Sequence, residues 1–302
     1  MVRWRFVCAA LLAVCGAVGA GEGPTPKDSR PVEYRAGKVI ARLKSRAVTE
    51  SSGVACSRRN KGVFYTHNDS GDSPRLFAFD RKGKTLAVIE VRGARHRDWE
   101  DIASFTLGEK AWLMVADTGD NLRRRRLVTL YFAPEPKIDP SKENAKVWTD
   151  VATILPFLYP DGPQDCEGVC VDPAAKKIHL VSKRGRRNIY ELPLPDLAQE
   201  TKPAEPLRAK LIAPLTLPQT SAMDMSPDGR RAVILTYLGA YAYTRGKDEA
   251  WSKAFRHDPK RVALPLLRQA EGICYGADGR TLYVTSEGVP MPIVEVLPDD
   301  GD

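Results

Sequence analysis

Short apolar runs alternate with polar turns along this chain, and one arrangement of runs and turns returns five times. A small or acidic residue opens a short apolar strand, a turn rich in Asp, Gly, Lys or Asn follows, and a second apolar strand ends in a polar cluster. The five openings are SGVAC at 52, EDIAS at 100, EGVCV at 167, SAMDM at 221 and EGICY at 271. Third and fourth apolar strands complete most of the repeats. Four strands in a repeat, at this spacing, are typical of β-propeller blades.

The two ends of the repeat array predict how the ring closes. The last repeat has only three strands, whereas a strand-like segment at 33–44, VEYRAGKVIARL, precedes the first repeat. As the missing outer strand, this segment would close the ring and remove its open edges. We therefore predict an all-β fold, a single β-propeller of five four-stranded blades at 33–298, with six blades as the alternative. The polar insert at 137–147 is predicted to be a loop.

The first 20 residues have the features of a secretory signal peptide. Arg3 and Arg5 form a basic start, an apolar run follows, and small residues at 18–20 fit a cleavage site. We expect residues 21–32 to be a flexible segment and the protein to be secreted or periplasmic. No later run is long and apolar enough for a membrane span. The formal net charge of +8 for the whole chain suits an anionic partner without demanding one.

Four cysteines follow the predicted signal peptide: Cys56, Cys166, Cys170 and Cys274. In an oxidising compartment they allow one or two disulfides, and the first and last of them open corresponding strands of the first and last repeats. Buried thiols are the favoured alternative. No interleaved aromatic pattern supports stacking on nucleic acid, and we expect a monomer.

In a propeller, the start of each innermost strand and the loop after the second strand lie on the same face. Carboxylates and amides recur at both places here, and Ca²⁺ prefers such oxygen ligands. The predicted cation ligands are Glu100, Glu167, Glu271, Asn68, Asp120, Asn121 and Glu287. The predicted catalytic residues are Asp69, Asp117 and His67. In the alternative interpretation, the acidic side chains cap their own turns or pair with nearby arginines.

Two basic runs occupy loops on the same predicted face. LRRRRL at 122–127 follows the second strand of the second repeat, and KRGRRN at 183–188 follows the second strand of the third. Clustered guanidinium groups suit phosphate or carboxylate ligands. We predict that Arg124, Arg184 and Arg186 bind a small anionic ligand or a cell-surface polyanion. The alternative is a solvated basic rim that balances the nearby acids.

Several phrases together resemble a known group: THNDSGD with LFAFD, DWEDIA with ADTGDN, DCEGVCVDP, TSAMDMSPDGRRAVILTY and EGICYGADGRTLYVTSEG. The group consists of exported bacterial β-propeller proteins of unassigned function, labelled WD-repeat-like, and the resemblance covers roughly residues 50–290. More distantly, the chain resembles phytase-like and gluconolactonase-type propellers. Those families bind Ca²⁺ or a similar ion at the channel mouth through acidic and amide side chains. The resemblance implies a role of the same kind for Glu100, Glu167, Glu271, Asp69 and Asp117.

Two functions follow from these observations. The first is a calcium-assisted hydrolase of phosphate esters or lactones, in which a cation at the channel mouth polarises the substrate and activates a water. The second is a non-enzymatic extracytoplasmic binding or scaffold module that uses the same rim to hold its partner. Dense acids at one mouth favour the first function, and the lack of a tight acid–base constellation favours the second.

Overall fold

A computed structural model describes residues 31–185, 187–197 and 205–300, and these form a five-bladed β-propeller. Blade 1 contains β2 (Ser51–Cys56), β3 (Val63–Asn68), β4 (Arg75–Asp80), β5 (Thr85–Arg92) and β9 (Ala145–Asp150). Blade 2 contains β6 (Trp99–Leu107), β7 (Lys110–Asp117), β8 (Val128–Pro134), β10 (Thr153–Leu158) and β14 (Leu207–Arg208). Blade 3 contains β11 (Cys166–Asp172), β12 (Lys177–Ser182), β13 (Asn188–Pro193) and β15 (Lys210–Pro214).

The last two blades complete the ring. Blade 4 contains β16 (Thr220–Met225), β17 (Arg231–Thr236), β18 (Gly239–Thr244) and β19 (Lys260–Val262). Blade 5 contains β20 (Ala270–Tyr275), β21 (Leu282–Ser286), β22 (Met291–Val296) and β1 (Lys38–Leu43). A four-residue helix, α1 (Trp251–Ala254), lies between β18 and β19. The predicted all-β fold and its five blades are confirmed, and the six-bladed alternative is wrong.

The apolar core is a ring of clusters between neighbouring blades rather than a single central core. The strands β2, β11, β16 and β20 are buried at every position because they line the channel and are flanked by other blades on both sides. One buried cluster fills each interface between successive blades, from blades 1 and 2 round to blades 5 and 1. Burial of this apolar surface is the main favourable contribution to folding.

The strand that precedes the first repeat closes the ring, as predicted. β1 pairs antiparallel with β22, and Leu43 lies opposite Met291. The Leu43 side chain is fully buried in the cluster between blades 5 and 1. An amino-terminal strand therefore completes a blade that the carboxyl-terminal strands begin, which leaves β22 without an open edge.

The insert at 137–147 differs from the prediction. It was expected to be a loop, but β9 begins within it at Ala145 and pairs in parallel with β5 of the preceding blade. A second strand pairs with a neighbouring blade in the same way: β14 lies between β13 and β15 of blade 3 in the sequence, but it pairs in parallel with β10 of blade 2. The strands β9 and β14 thus form hydrogen bonds with the edge strands of neighbouring blades. With a loop at either place, the edge groups would bond to water.

Other sequence predictions have mixed outcomes. All four cysteines in the described part of the chain are buried free thiols, so the disulfide alternative is not realised. No helix among the described residues is long and apolar enough to cross a membrane. The predicted signal peptide and most of the flexible segment lie outside the described residues, so both stay predictions.

Candidate cation site at the channel mouth

Every innermost strand has a register shift close to its start, at the same position in blades 2 to 5 and one residue later in blade 1. The residue left without a cross-strand partner is Gly53, Glu100, Glu167, Ser221 or Glu271, from blade 1 to blade 5. A β-bulge of this kind re-aims the side chain of its extra residue. Three of the five bulges carry glutamate, and these are the three glutamates that the sequence predicted as cation ligands.

Two of these glutamates lie within a compact group of five carboxylates. Ligand oxygens of Asp69, Asp98 and Glu100 lie within 4.8 Å of one another, and so do those of Glu100, Asp165 and Glu167. We call these the outer triad and the inner triad, and Glu100 belongs to both. The inner triad is buried throughout, whereas the other two carboxylates of the outer triad are half-buried. The outer triad therefore faces solvent and the inner triad lies below it.

Burial and repulsion between neighbouring acids raise the pKa of three of these carboxyl groups. Burial, opposed by the ammonium group of Lys183, raises the pKa of Glu167 to about 8. Burial and the charges of Glu167 and Asp69 raise the pKa of Glu100 well above its usual range. Burial and the charge of Asp69 raise the pKa of Asp98 to about 6. A bound cation would favour the ionised form of all of them.

Two basic side chains compensate part of the charge of the inner triad. Lys183 Nζ lies 2.9 Å from Glu167 Oε2, and Arg184 Nε lies 3.4 Å from Asp165 Oδ2. The remaining oxygen of Glu167, Oε1, is buried and has no hydrogen-bond partner. Within the described residues, no hydrogen-bond donor reaches the carboxylate of Glu100. The triads therefore hold more buried negative charge than their protein partners balance.

The third bulge glutamate lies apart from both triads. Glu271 accepts a hydrogen bond of 2.9 Å from the hydroxyl of Tyr237. The ring of Tyr237 packs beneath Lys183, 5.6 Å from its Nζ. Burial raises the pKa of Glu271, and burial together with the charge of Glu271 raises the pKa of Glu287 to about 7. These two predicted ligands thus form a second acidic pair on the blade 5 side of the mouth.

Two other predicted residues, Asp117 and Asp120, bind neighbouring protein groups and hold the site in place instead of pointing into it. Asp117 forms a buried ion pair with Arg125, with Oδ1 and Nη2 separated by 2.7 Å. Asp120 Oδ2 accepts the backbone N–H of Arg125, and the backbone N–H of Asp120 donates to Asp165 Oδ1 at 2.9 Å. Gly119, between them, lets the backbone approach the carboxylates of Asp98 and Glu100, because a Cβ atom there would overlap both.

Two further predicted site residues, Asn68 and His67, make structural contacts in the first blade. Asn68 Oδ1 accepts the backbone N–H groups of Thr49 and Glu50, and its Nδ2 donates to Asp72. His67 is fully buried, its Nδ1 contacts the carbonyl of Asn68 at 2.9 Å, and burial lowers its pKa to about 4. Both side chains lie beneath the mouth, where they hold the loop that carries Asp69.

Two of the predicted anion-binding residues, Arg124 and Arg184, lie on loops of the neighbouring blades 2 and 3. Arg184 donates to the side-chain oxygen of Asn121 at 2.7 Å, which joins the loops of blades 2 and 3. Arg124 is exposed and lines an open depression of about 630 Å³ that also contains Arg97, Arg126 and Asp98. Arg186 lies outside the described residues. A basic depression therefore borders the outer triad.

The sequence predictions missed two residues of the triads. Asp98 and Asp165 each stand two positions before a bulge glutamate, in the motifs Asp98-Trp99-Glu100 and Asp165-Cys166-Glu167. In both motifs the aspartate ends the incoming loop and the glutamate lies at the bulge, and their carboxylates are close together. A shared Asp-x-Glu pattern at two strand openings was therefore a usable signal.

The chain was compared with protein families, curated proteins and solved structures. No protein-family model matches the sequence, and no curated protein matches it either. Among solved structures, the chain is similar to a gluconolactonase from Xanthomonas campestris. The two share 12% sequence identity with a TM-score of 0.45, over 89% of this chain and 96% of the other. The neighbour is of the gluconolactonase type that the sequence distantly resembles.

Proposed function

We propose that this propeller is a divalent-cation-dependent hydrolase whose reaction takes place at the channel mouth. The observation that carries the proposal is the unpartnered Oε1 of Glu167, a side chain that is 1% exposed within the inner triad. A buried carboxylate oxygen without a donor is costly. A cation between Glu100, Asp165 and Glu167 would remove that cost.

The donor set indicates which cation fits. All five donors of the two triads are carboxylates, and hard cations such as Ca²⁺ and Mg²⁺ prefer oxygen ligands. The histidines nearest the mouth, His67 and His96, belong to neither group of neighbouring ligand atoms. The three carboxylates of the inner triad can each bind through one or two oxygens, which suits the larger and more flexible shell of Ca²⁺ better than the octahedral shell of Mg²⁺.

A cation bound here supplies Lewis-acid polarisation of a substrate oxygen and lowers the pKa of water. The chain itself supplies a proton acceptor at the solvent side. Asp98 is half-buried, and no donor among the described residues reaches its side-chain oxygens, so this carboxylate is free to accept a proton at the solvent side of the cation. The Asp117–Arg125 ion pair contacts the backbone N–H of Asp98 and fixes the position of this residue.

The basic depression favours negatively charged substrates. Arg97 and Arg124 line it beside Asp98, and both lie within reach of a ligand that enters from solvent. Guanidinium groups bind phosphate oxygens in a bidentate manner, so phosphate esters are the first candidate substrates. Lactones are the second, because a cation would polarise their carbonyl in the same way. The non-enzymatic binding module stays the alternative, and it predicts cation binding without turnover.

Calorimetric titration of EDTA-treated protein with Ca²⁺ tests the cation site. We expect stoichiometric binding and a rise in Tm, since a ligand at one hundred times its Kd stabilises by about 2.7 kcal/mol. Glu167→Gln should weaken Ca²⁺ binding at least about tenfold, because it removes one charged ligand. Glu271→Gln is the matched control, since that glutamate has the same bulge position in blade 5 but lies outside both triads.

Turnover is measured on a chromogenic phosphate monoester and on an aliphatic lactone, with Ca²⁺ and with EDTA. Asp98→Asn should lower kcat by about 100-fold, the usual contribution of a general base. Absence of Ca²⁺ binding, or equal affinity in the Glu167→Gln variant, would overturn the cation site. Ca²⁺ binding without hydrolysis of either substrate class would support the binding module instead.

A further inference from the structure

The most exposed apolar side chains of the described chain all lie on the mouth face. Leu122 is 71% exposed, Leu238 is 66% exposed and Leu266 is fully exposed. They belong to the β7–β8, β17–β18 and β19–β20 connections, which are on the same side as the starts of the innermost strands. Val289 in the β21–β22 connection is also exposed. Exposed leucines gathered on one face indicate a contact surface.

Elsewhere, exposed large apolar residues are fewer and less prominent. Val39, Trp148 and Leu211 are on the outermost strands β1, β9 and β15, and each is exposed by 56% or less. These side chains lie at separate blade edges around the ring. The mouth face therefore has more exposed large apolar side chains than the rest of the described surface, and its leucines are more exposed.

Charge on the mouth face is arranged in two zones. The carboxylates of the inner triad are buried at its centre. Arg124 and Arg126 are exposed beside Leu122 and Leu127 at its rim. Arg261 lines the depression that contains Leu238 and Leu266 on the opposite side. Leucines and arginines therefore lie at the rim of this face, around the half-buried carboxylates of the outer triad.

We propose that the mouth face is a peripheral docking surface for an anionic phospholipid bilayer. The three leucines enter the boundary between headgroups and acyl chains, and the rim arginines contact the phosphate groups. Apolar tips combined with basic side chains bind anionic lipid surfaces in this way. Leu122 lies on a loop of blade 2, whereas Leu238 and Leu266 line one depression on the blade 4 side. The apolar contacts therefore lie on two sides of the channel, which suits a broad fluid surface better than one narrow protein groove.

Vesicle sedimentation tests this proposal in the presence of EDTA, so that the outcome does not depend on the cation site. The full chain should bind vesicles that contain phosphatidylglycerol more tightly than vesicles of phosphatidylcholine alone. A triple variant, Leu122→Ser with Leu238→Ser and Leu266→Ser, should lower partitioning at least about tenfold because it removes the inserted apolar area. Arg124→Gln with Arg126→Gln should reduce the preference for the anionic lipid.

The matched control replaces the same number of exposed apolar residues elsewhere, as Val39→Ser with Leu211→Ser and Leu297→Ser. It should bind as the unchanged protein does, and thermal melting should show that all variants fold. Equal vesicle binding by the leucine variant and this control would overturn the proposal. So would binding to a soluble polyanion such as dextran sulfate without binding to vesicles, which would identify the face as a polysaccharide site.

Discussion

Adjacent acids in β6 show how one buried carboxylate differs from another. Asp101 accepts backbone N–H groups from Ile102, Val169 and Met223, so its carboxylate joins the innermost strands of three blades. Glu100, the preceding residue, lies at the bulge and has no such donors. Burial raises the pKa of both. The first carboxylate is satisfied by the protein, whereas the second has room for a ligand.

His179 makes the stability of the protein depend on acidity. It lies in β12 beside Phe255, both ring nitrogens lack partners, and burial lowers its pKa to about 3. The unfolded chain therefore takes up a proton first as pH falls below about 6.5. The folded state is therefore not penalised by the neutral His179 above about pH 6.5. Its stability relative to the unfolded chain falls progressively from that pH towards pH 3.

We expect His179→Phe to reduce the loss of stability between pH 7 and pH 4 by about 3 kcal/mol, because the variant has no proton to gain in the unfolded state. Urea unfolding at both pH values measures the difference. Leu180→Met is the control, since it alters another buried side chain of β12 that carries no proton. An unaltered difference in the His179→Phe variant would contradict this account.

At the scale of elements, Glu135 joins the first two blades. It follows β8 of blade 2, is fully buried, and accepts hydrogen bonds from the hydroxyl of Tyr65 and from Ser104, both at 2.9 Å. It also accepts the backbone N–H groups of Arg58 and Arg59 in the β2–β3 turn. The turn therefore depends on a neighbouring blade for its polar partners.

Replacement of Glu135 by alanine should lower the free energy of unfolding by about 3 to 5 kcal/mol, because several buried donors lose one acceptor. Denaturant unfolding measures the change. The control is Glu109→Ala, since Glu109 is an exposed acid in the β6–β7 turn of the same blade. A loss of less than 1 kcal/mol in the Glu135 variant would show that water replaces the carboxylate.

At the scale of the molecule, β1 decides whether the ring is closed. A chain that begins at residue 45 lacks β1, which exposes the edge of β22 and removes Leu43 from the cluster between blades 5 and 1. We expect its Tm to fall by about 10 °C or more, from the lost apolar packing and strand pairing. An exposed edge should also promote aggregation.

A chain that begins at residue 31 is the matched comparison, because it retains β1, and its Tm should equal that of the full chain. Thermal melting followed by light scattering distinguishes the two truncations. If the chain that begins at residue 45 melts at the same temperature as the longer one, ring closure by β1 contributes nothing to stability.

The sequence by itself determined most of the strands and their order, and it favoured five blades over six. Period-2 alternation and turn residues are local properties, so the opening EGVCV at 167 and the segment at 33–44 could be assigned from the residues alone. The bulge glutamates were predictable for the same reason, since they open repeated strands. Even the missed Asp98 and Asp165 have a local signature in the Asp-x-Glu pattern.

Only the tertiary structure decided which polar residues share a site. Asp117 and Glu100 both belong to the second repeat. Arg125 forms an ion pair with Asp117, whereas no hydrogen-bond donor among the described residues reaches the carboxylate of Glu100. Glu271 has the same bulge position as Glu167, yet Tyr237 draws it away from the triads. The parallel strands β9 and β14 also depend on a neighbouring blade. Contacts between blades follow from packing and bulge geometry, and these are not encoded in the periodicity of any single repeat.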